Sequence, residues 1–151
     1  MRASARGACA PVLVLALVAA GCGGSSSTGA RELRARAARA CTVATARLNR
    51  VPTPQVPSQG AAFLRGGIAA LRPELAVLSA MHPGGELGGH FDAARKATEQ
   101  ELQVLQFSLK GLTAGNDPIV AVKTLQTQLA PLEKRADAAW RALGVPECAD
   151  T

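Results

Sequence analysis

Four stretches of the chain repeat apolar residues at steps of three and four, the spacing that lines one face of an α-helix. The first runs from about Ala30 to Arg50, with Leu33, Ala37, Cys41, Ala44, Leu48 and Val51 on its stripe. Pro52, Pro54 and Pro57 forbid its continuation, and VPTPQVPSQG reads as an extended, polyproline-like connector. The second stretch opens after Ser58, a candidate N-cap, and carries Phe63, Ala70, Leu71, Leu75 and Leu78. Pro73 interrupts it and predicts a kink or two shorter helices, before His82-Pro83-Gly84-Gly85 stops it. The third has the most regular spacing: Phe91, Ala94, Thr98, Leu102, Leu105, Leu109 and Leu112, closed by Gly115-Asn116. The fourth starts at Asp117-Pro118, a cap followed by a first-turn proline. Ile119, Val122, Leu125, Leu129, Leu132, Ala136, Trp140 and Leu143 form its stripe. Pro131 should bend it and Gly144 should end it, leaving Val145-Pro146-Glu147-Cys148 as a tail.

No run sustains period-two alternation, so the fold class is all-α. The expected architecture is an antiparallel up-down four-helix bundle, because short loops join helices two, three and four. Apolar residues make up 48% of the chain but aromatics only 3%, so Ala, Leu and Val must supply the core. The rings of Phe63, Phe91, Phe107 and Trp140 are expected to pack in that core or at its edge.

The N-terminus carries a different pattern. Arg2 and Arg6 precede a run of about ten apolar residues, Pro11 to Ala20. That run is too short to span a bilayer, which takes roughly 20 residues, but it has the length and flanks of a secretory signal peptide. Ala19-Ala20-Gly21-Cys22 follows, and then Gly23-Gly24-Ser25-Ser26-Ser27-Thr28-Gly29. This segment resembles the lipobox of bacterial lipoproteins, matching at Ala20, Gly21 and Cys22, with Ala19 where leucine is usual. The resemblance implies cleavage before Cys22, lipid on its sulfur, and an extracytoplasmic protein anchored to the cell membrane. In address and size the chain is similar to small actinobacterial lipoproteins, and its heavy use of Ala, Arg and Gly fits a GC-rich genome. The implied organisation is a signal peptide over residues 1–21, a lipidated cysteine with a flexible Gly/Ser tether over 22–30, and a helical domain over 31–151. An ordinary signal peptide, with Cys22 incidental, is the alternative.

Of the four cysteines, Cys9 falls in the signal segment and Cys22 takes the lipid under this reading. Cys41 and Cys148 remain as an even pair in an oxidising compartment, and one disulfide between them is expected. A free buried pair is the alternative. No zinc-type cysteine spacing occurs. Without Arg2 and Arg6 the chain holds 15 basic against 11 acidic residues, a modest excess that does not argue for nucleic acid. Arginines are concentrated on the first helix, where Arg36, Arg39, Arg47 and Arg50 share a side away from the apolar stripe. They lie near the proposed anchor, since a tether of about eight residues reaches roughly 25–30 Å. Anionic headgroups or a phosphate-bearing wall polymer would suit them; a merely solvated face is the alternative.

Catalytic patterns are lacking. His82 and His90 flank a glycine-rich turn with Glu86 and Asp92 nearby, which allows a metal reading but matches no established ligand spacing. Neither a phosphate-binding loop nor a nucleophile elbow occurs. Glu99 and Glu101 point different ways on a helix, and Glu133 and Asp137, interleaved with Lys134 and Arg135, read as a solvated ion-paired face. The chain is therefore expected to be a non-catalytic interaction or structural module, without a cofactor, whose partner is a protein or an envelope polymer. The second expectation is a small-ligand or metal-binding lipoprotein. An internal cavity with convergent polar groups separates the two.

Overall fold

The computed structural model describes residues 25–149. The proposed signal segment and Cys22 lie outside the described residues. Four helices follow in order: α1 Ser25–Leu48, α2 Gly60–Ser79, α3 Glu86–Thr113 and α4 Pro118–Leu143, with short 3-10 turns at Pro57–Gln59 and Pro146–Cys148. No strand occurs among the described residues. The helices pack against one another as a bundle, most extensively α3 with α4, then α2 with α3 and α1 with α2. The α1 helix also packs on the turn at Pro146–Cys148.

Local chemistry accounts for most of these boundaries. Between Ala30 and Val51 the first helix meets no glycine or proline, and its Ala, Leu and Arg residues are strong helix formers. It starts at Ser25, five residues before the periodicity predicts and inside the segment expected to be a flexible tether. At the other end, Asp117 Oδ1 accepts from the backbone N–H groups of Ile119 and Val120, at 2.8 and 3.1 Å, and fixes the start of α4. Gly144 ends the same helix at φ 72°, a left-handed conformation that suits glycine.

Three expectations change. First, Ser58 does not cap α2; it lies in the 3-10 turn, and the helix opens at Gly60 without a side-chain cap. Second, α2 is one helix through Pro73 and not two shorter ones, and α4 likewise continues through Pro131. Each proline removes one N–H, which frees the carbonyl four residues earlier, at Ala69 and Thr127. All four residues are exposed, so water can satisfy those carbonyls. Third, the stripe on α2 is rotated: Leu64, Ile68, Ala70, Glu74 and Leu78 are buried, while Phe63 is exposed. Gly66 brings the connector onto this helix. A Cβ there would stand 2.7 Å from Val51 Cγ1, so only glycine leaves room for that valine.

The core gathers around Phe91 and Trp140, whose rings meet edge to face at 6.0 Å and 85°. Leu78, Met81, Leu143 and Val145 close over them. Cys41 and Cys148 are joined by a disulfide within this core. Arg34 Nε donates to the Leu143 carbonyl at 2.6 Å, a second tie between α1 and the end of α4. The other end of the molecule is looser. There Phe107, expected in the core, is 71% exposed, and Ile119 and Val122 of the α4 stripe are exposed as well.

The disulfide closes a loop of 107 residues in sequence separation. For a loop that long the chain-entropy argument gives about 4–5 kcal/mol. Cys148→Ser should therefore lower stability by about 2–5 kcal/mol in chemical denaturation, and added reductant should lower the wild type to the same level.

Candidate functional site

Three helices turn carboxylates toward one cavity of about 110 Å³. Glu74 comes from α2, Glu101 from α3, and Glu133 and Asp137 from α4. The spacing explains the convergence. Glu74 is four residues from both Ala70 and Leu78 on the buried stripe of α2, and Glu101 is three residues from buried Thr98. Glu133 and Asp137 continue the four-residue steps from Leu129. Leu48, Leu71, Leu105, Leu129 and Trp140 form the apolar part of the wall, and Cys148 borders it. No lysine, arginine or histidine lines the cavity.

Glu74 is only 5% exposed. Its Oε1 lies 3.2 Å from Cys41 Sγ, but a disulfide sulfur has no proton to give. No other described group donates to it. The contact is thus a hydrogen bond only when the carboxyl is protonated and donates to sulfur. Burial pushes Glu74 from an ordinary 4.5 up to about 7. Glu101 is half-buried, and its Oε1 is sealed from water without a hydrogen-bond partner. Burial first, and then the charges of Glu133, Glu74 and Asp137, push its carboxyl up to about 7 as well. The cavity is therefore a place of strong negative potential that can be relieved by protons or by a cation.

The residues singled out in the sequence are distributed around this cavity. The Cys41–Cys148 bridge touches it. Arg36, Arg39 and Arg47 on α1 and Arg50 in the turn after it are all exposed, away from the cavity, and none has an acidic partner among the described residues. Exposed Val43 falls between them, so the steps 36, 39, 43 and 47 make one stripe of α1, with Arg50 just past its end. His82 is exposed in the loop before α3 and lines an open depression of about 590 Å³ with Arg36 and Glu86. His90 is exposed in the first turns of α3 and does not line that depression. No three His, Cys, Asp or Glu side chains among the described residues are grouped to hold a metal ion. Glu133 and Asp137 do not simply form a solvated face: Asp137 pairs with Arg141 at 3.6 Å, yet both carboxylates also border the cavity. Sequence reasoning missed Glu74 and Glu101. The available signal was Glu74, standing four residues from both Ala70 and Leu78 on its stripe, and Glu101, three residues after Thr98.

These raised carboxyls set the pH dependence of stability. Between about pH 4.5 and 7 the folded chain keeps protons that the unfolded chain has released. Their contribution to stability is full below about pH 4.5 and is lost as pH rises through about 7. For Glu74 alone the loss should be on the order of 2 kcal/mol. Glu74→Gln should flatten the curve and raise the unfolding midpoint at pH 8, measured by denaturation at a series of pH values. No helix among the described residues is long and apolar enough to cross a membrane. The chain matches no known family model, no curated protein and no solved structure.

Proposed function

We propose that the chain is a lipid-anchored, extracytoplasmic lipoprotein that works by binding, with the arginine side of α1 turned toward an anionic, phosphate-bearing membrane surface. In this reading residues 1–21 are removed, Cys22 carries the lipid, and the helices alternate up and down in an antiparallel bundle. Short connections of packed neighbours support the antiparallel order, as does the meeting of Pro54–Gly60 with Leu112 and Pro118–Gln126 in one groove.

The observation that carries the proposal is the unpaired basic stripe. Arg36, Arg39, Arg47 and Arg50 are exposed around Val43, and no carboxylate among the described residues neutralises them. From Arg36 to Arg47 the stripe is about 17 Å long, at 1.5 Å per residue, and Arg50 follows two residues past the helix end. A basic stripe with an apolar residue in its middle is suited to lie along headgroups. The helix reaching back to Ser25 leaves only two residues between it and Cys22, which keeps α1 close to the proposed anchor. The closed Cys41–Cys148 bridge fits an oxidising compartment and leaves Cys22 without that partner.

A soluble form lacking the first 22 residues should bind vesicles containing anionic phospholipid and ignore neutral ones at low salt. Each arginine should be worth about 1 kcal/mol, or roughly fivefold in partitioning, and the attraction should fade as salt rises. Replacing Arg36, Arg39, Arg47 and Arg50 by glutamine should abolish the preference in a sedimentation assay. Equal binding of the wild type to neutral and anionic vesicles overturns the reading.

A further inference from the structure

We propose that the cavity between α2, α3 and α4 is a binding site for a small alkylammonium ion, with Glu74 and Glu101 as its principal anionic contacts. Four of the eleven carboxylates in the chain border this one space, and no basic side chain shares it. The wall brings Glu74 from α2, Glu101 from α3, and Glu133 and Asp137 from α4, while α1 adds only Leu48 and the C-terminal turn only Cys148. Among the described residues Arg141 is the cation paired to this set, and it meets Asp137 from an exposed position.

The vacant bonding capacity is specific. Glu74 is 5% exposed and receives no hydrogen bond from any described residue, and Glu101 Oε1 is sealed without a partner. A buried ionised carboxylate without a donor is costly, so the ionised pair calls for a positively charged donor. An ammonium group offers three N–H donors on a compact charge. Leu48, Leu71, Leu105 and Leu129 give its alkyl part an apolar wall, and Trp140 adds an aromatic one. A divalent metal suits the cavity less well, because no three acidic side chains are grouped closely enough to ligate one. At about 10–15 Å³ for each water position, a space of about 110 Å³ has room for a ligand of several heavy atoms.

The inference is independent of the basic stripe on α1, which takes the opposite charge. Titration calorimetry of the full-length chain in detergent with butylammonium at pH 8 should give saturable binding at one site. At pH 5.5, where Glu74 and Glu101 hold protons, affinity should fall at least tenfold. Glu74→Gln and Glu101→Gln should each weaken binding at least tenfold at pH 8 while leaving the helical circular-dichroism spectrum unchanged. Because Glu74→Gln is expected to stabilise the fold, loss of binding in a folded variant is a direct reading of the site. The proposal is overturned by absence of saturable binding at millimolar amine, by affinity that both variants leave intact, or by tighter binding of calcium or magnesium than of butylammonium.

Discussion

The bond between Cys41 and Cys148 is the constraint on which the arrangement rests. The α1 helix packs on α2 and on the turn at Pro146–Cys148, while α3 and α4 form the most extensive pair. The C-terminal turn is therefore the wedge that joins α1 to the α3–α4 side. It carries Val145, Cys148 and Ala149 into the same core as Trp140 and Phe91. Hydrophobic burial of three small residues would hold such a turn only weakly against chain entropy. The covalent link changes this by removing the open-loop conformations of the unfolded chain. The Arg34 bond to the Leu143 carbonyl then fixes the adjacent helix end.

Around that bond the charges are sorted by sign. Arginines of α1 are exposed, while Glu74 and Glu101 line a cavity between the other three helices, bordered also by exposed Glu133 and half-buried Asp137. The two sets do not neutralise each other because the buried side of α1 is occupied by Ala37, Cys41 and Ala44. A surface arginine loses little by remaining unpaired in water, where two charges 4 Å apart interact by only about 1 kcal/mol. Glu74 and Glu101 are withdrawn from that screening by burial, which is why their protonation is displaced. One polypeptide thus presents a cationic exterior stripe and a carboxylate-lined interior.

Much of the fold was legible in the sequence, and the reasons for the exceptions are physical. The stripe of α3 and the Asp117-Pro118 start of α4 were readable because periodicity and capping are local. The pairing of Cys41 with Cys148 followed from counting thiols. The early start at Ser25 was not legible, since serine and glycine lower helix propensity without forbidding it. Phe63 and Phe107 were misplaced because an aromatic ring biases a reading toward the core, whereas the neighbours Leu64 and Ser108 are the buried residues. The acidic cavity was missed for a related reason. Whether three helices bring their carboxylates to one place depends on their relative rotation, which no single stripe records.

The length of the loop closed by the bridge also orders events in time. Cys148 is joined to the growing chain 107 residues after Cys41, a delay of about 5–20 s at about 5–20 residues per second. Throughout that interval Cys41 is a thiol whose proper partner does not yet exist. Cys22 is the nearest competitor, 19 residues upstream and already made. In the proposed lipoprotein, the thioether on Cys22 does more than tether the product: it takes the competing sulfur out of thiol chemistry.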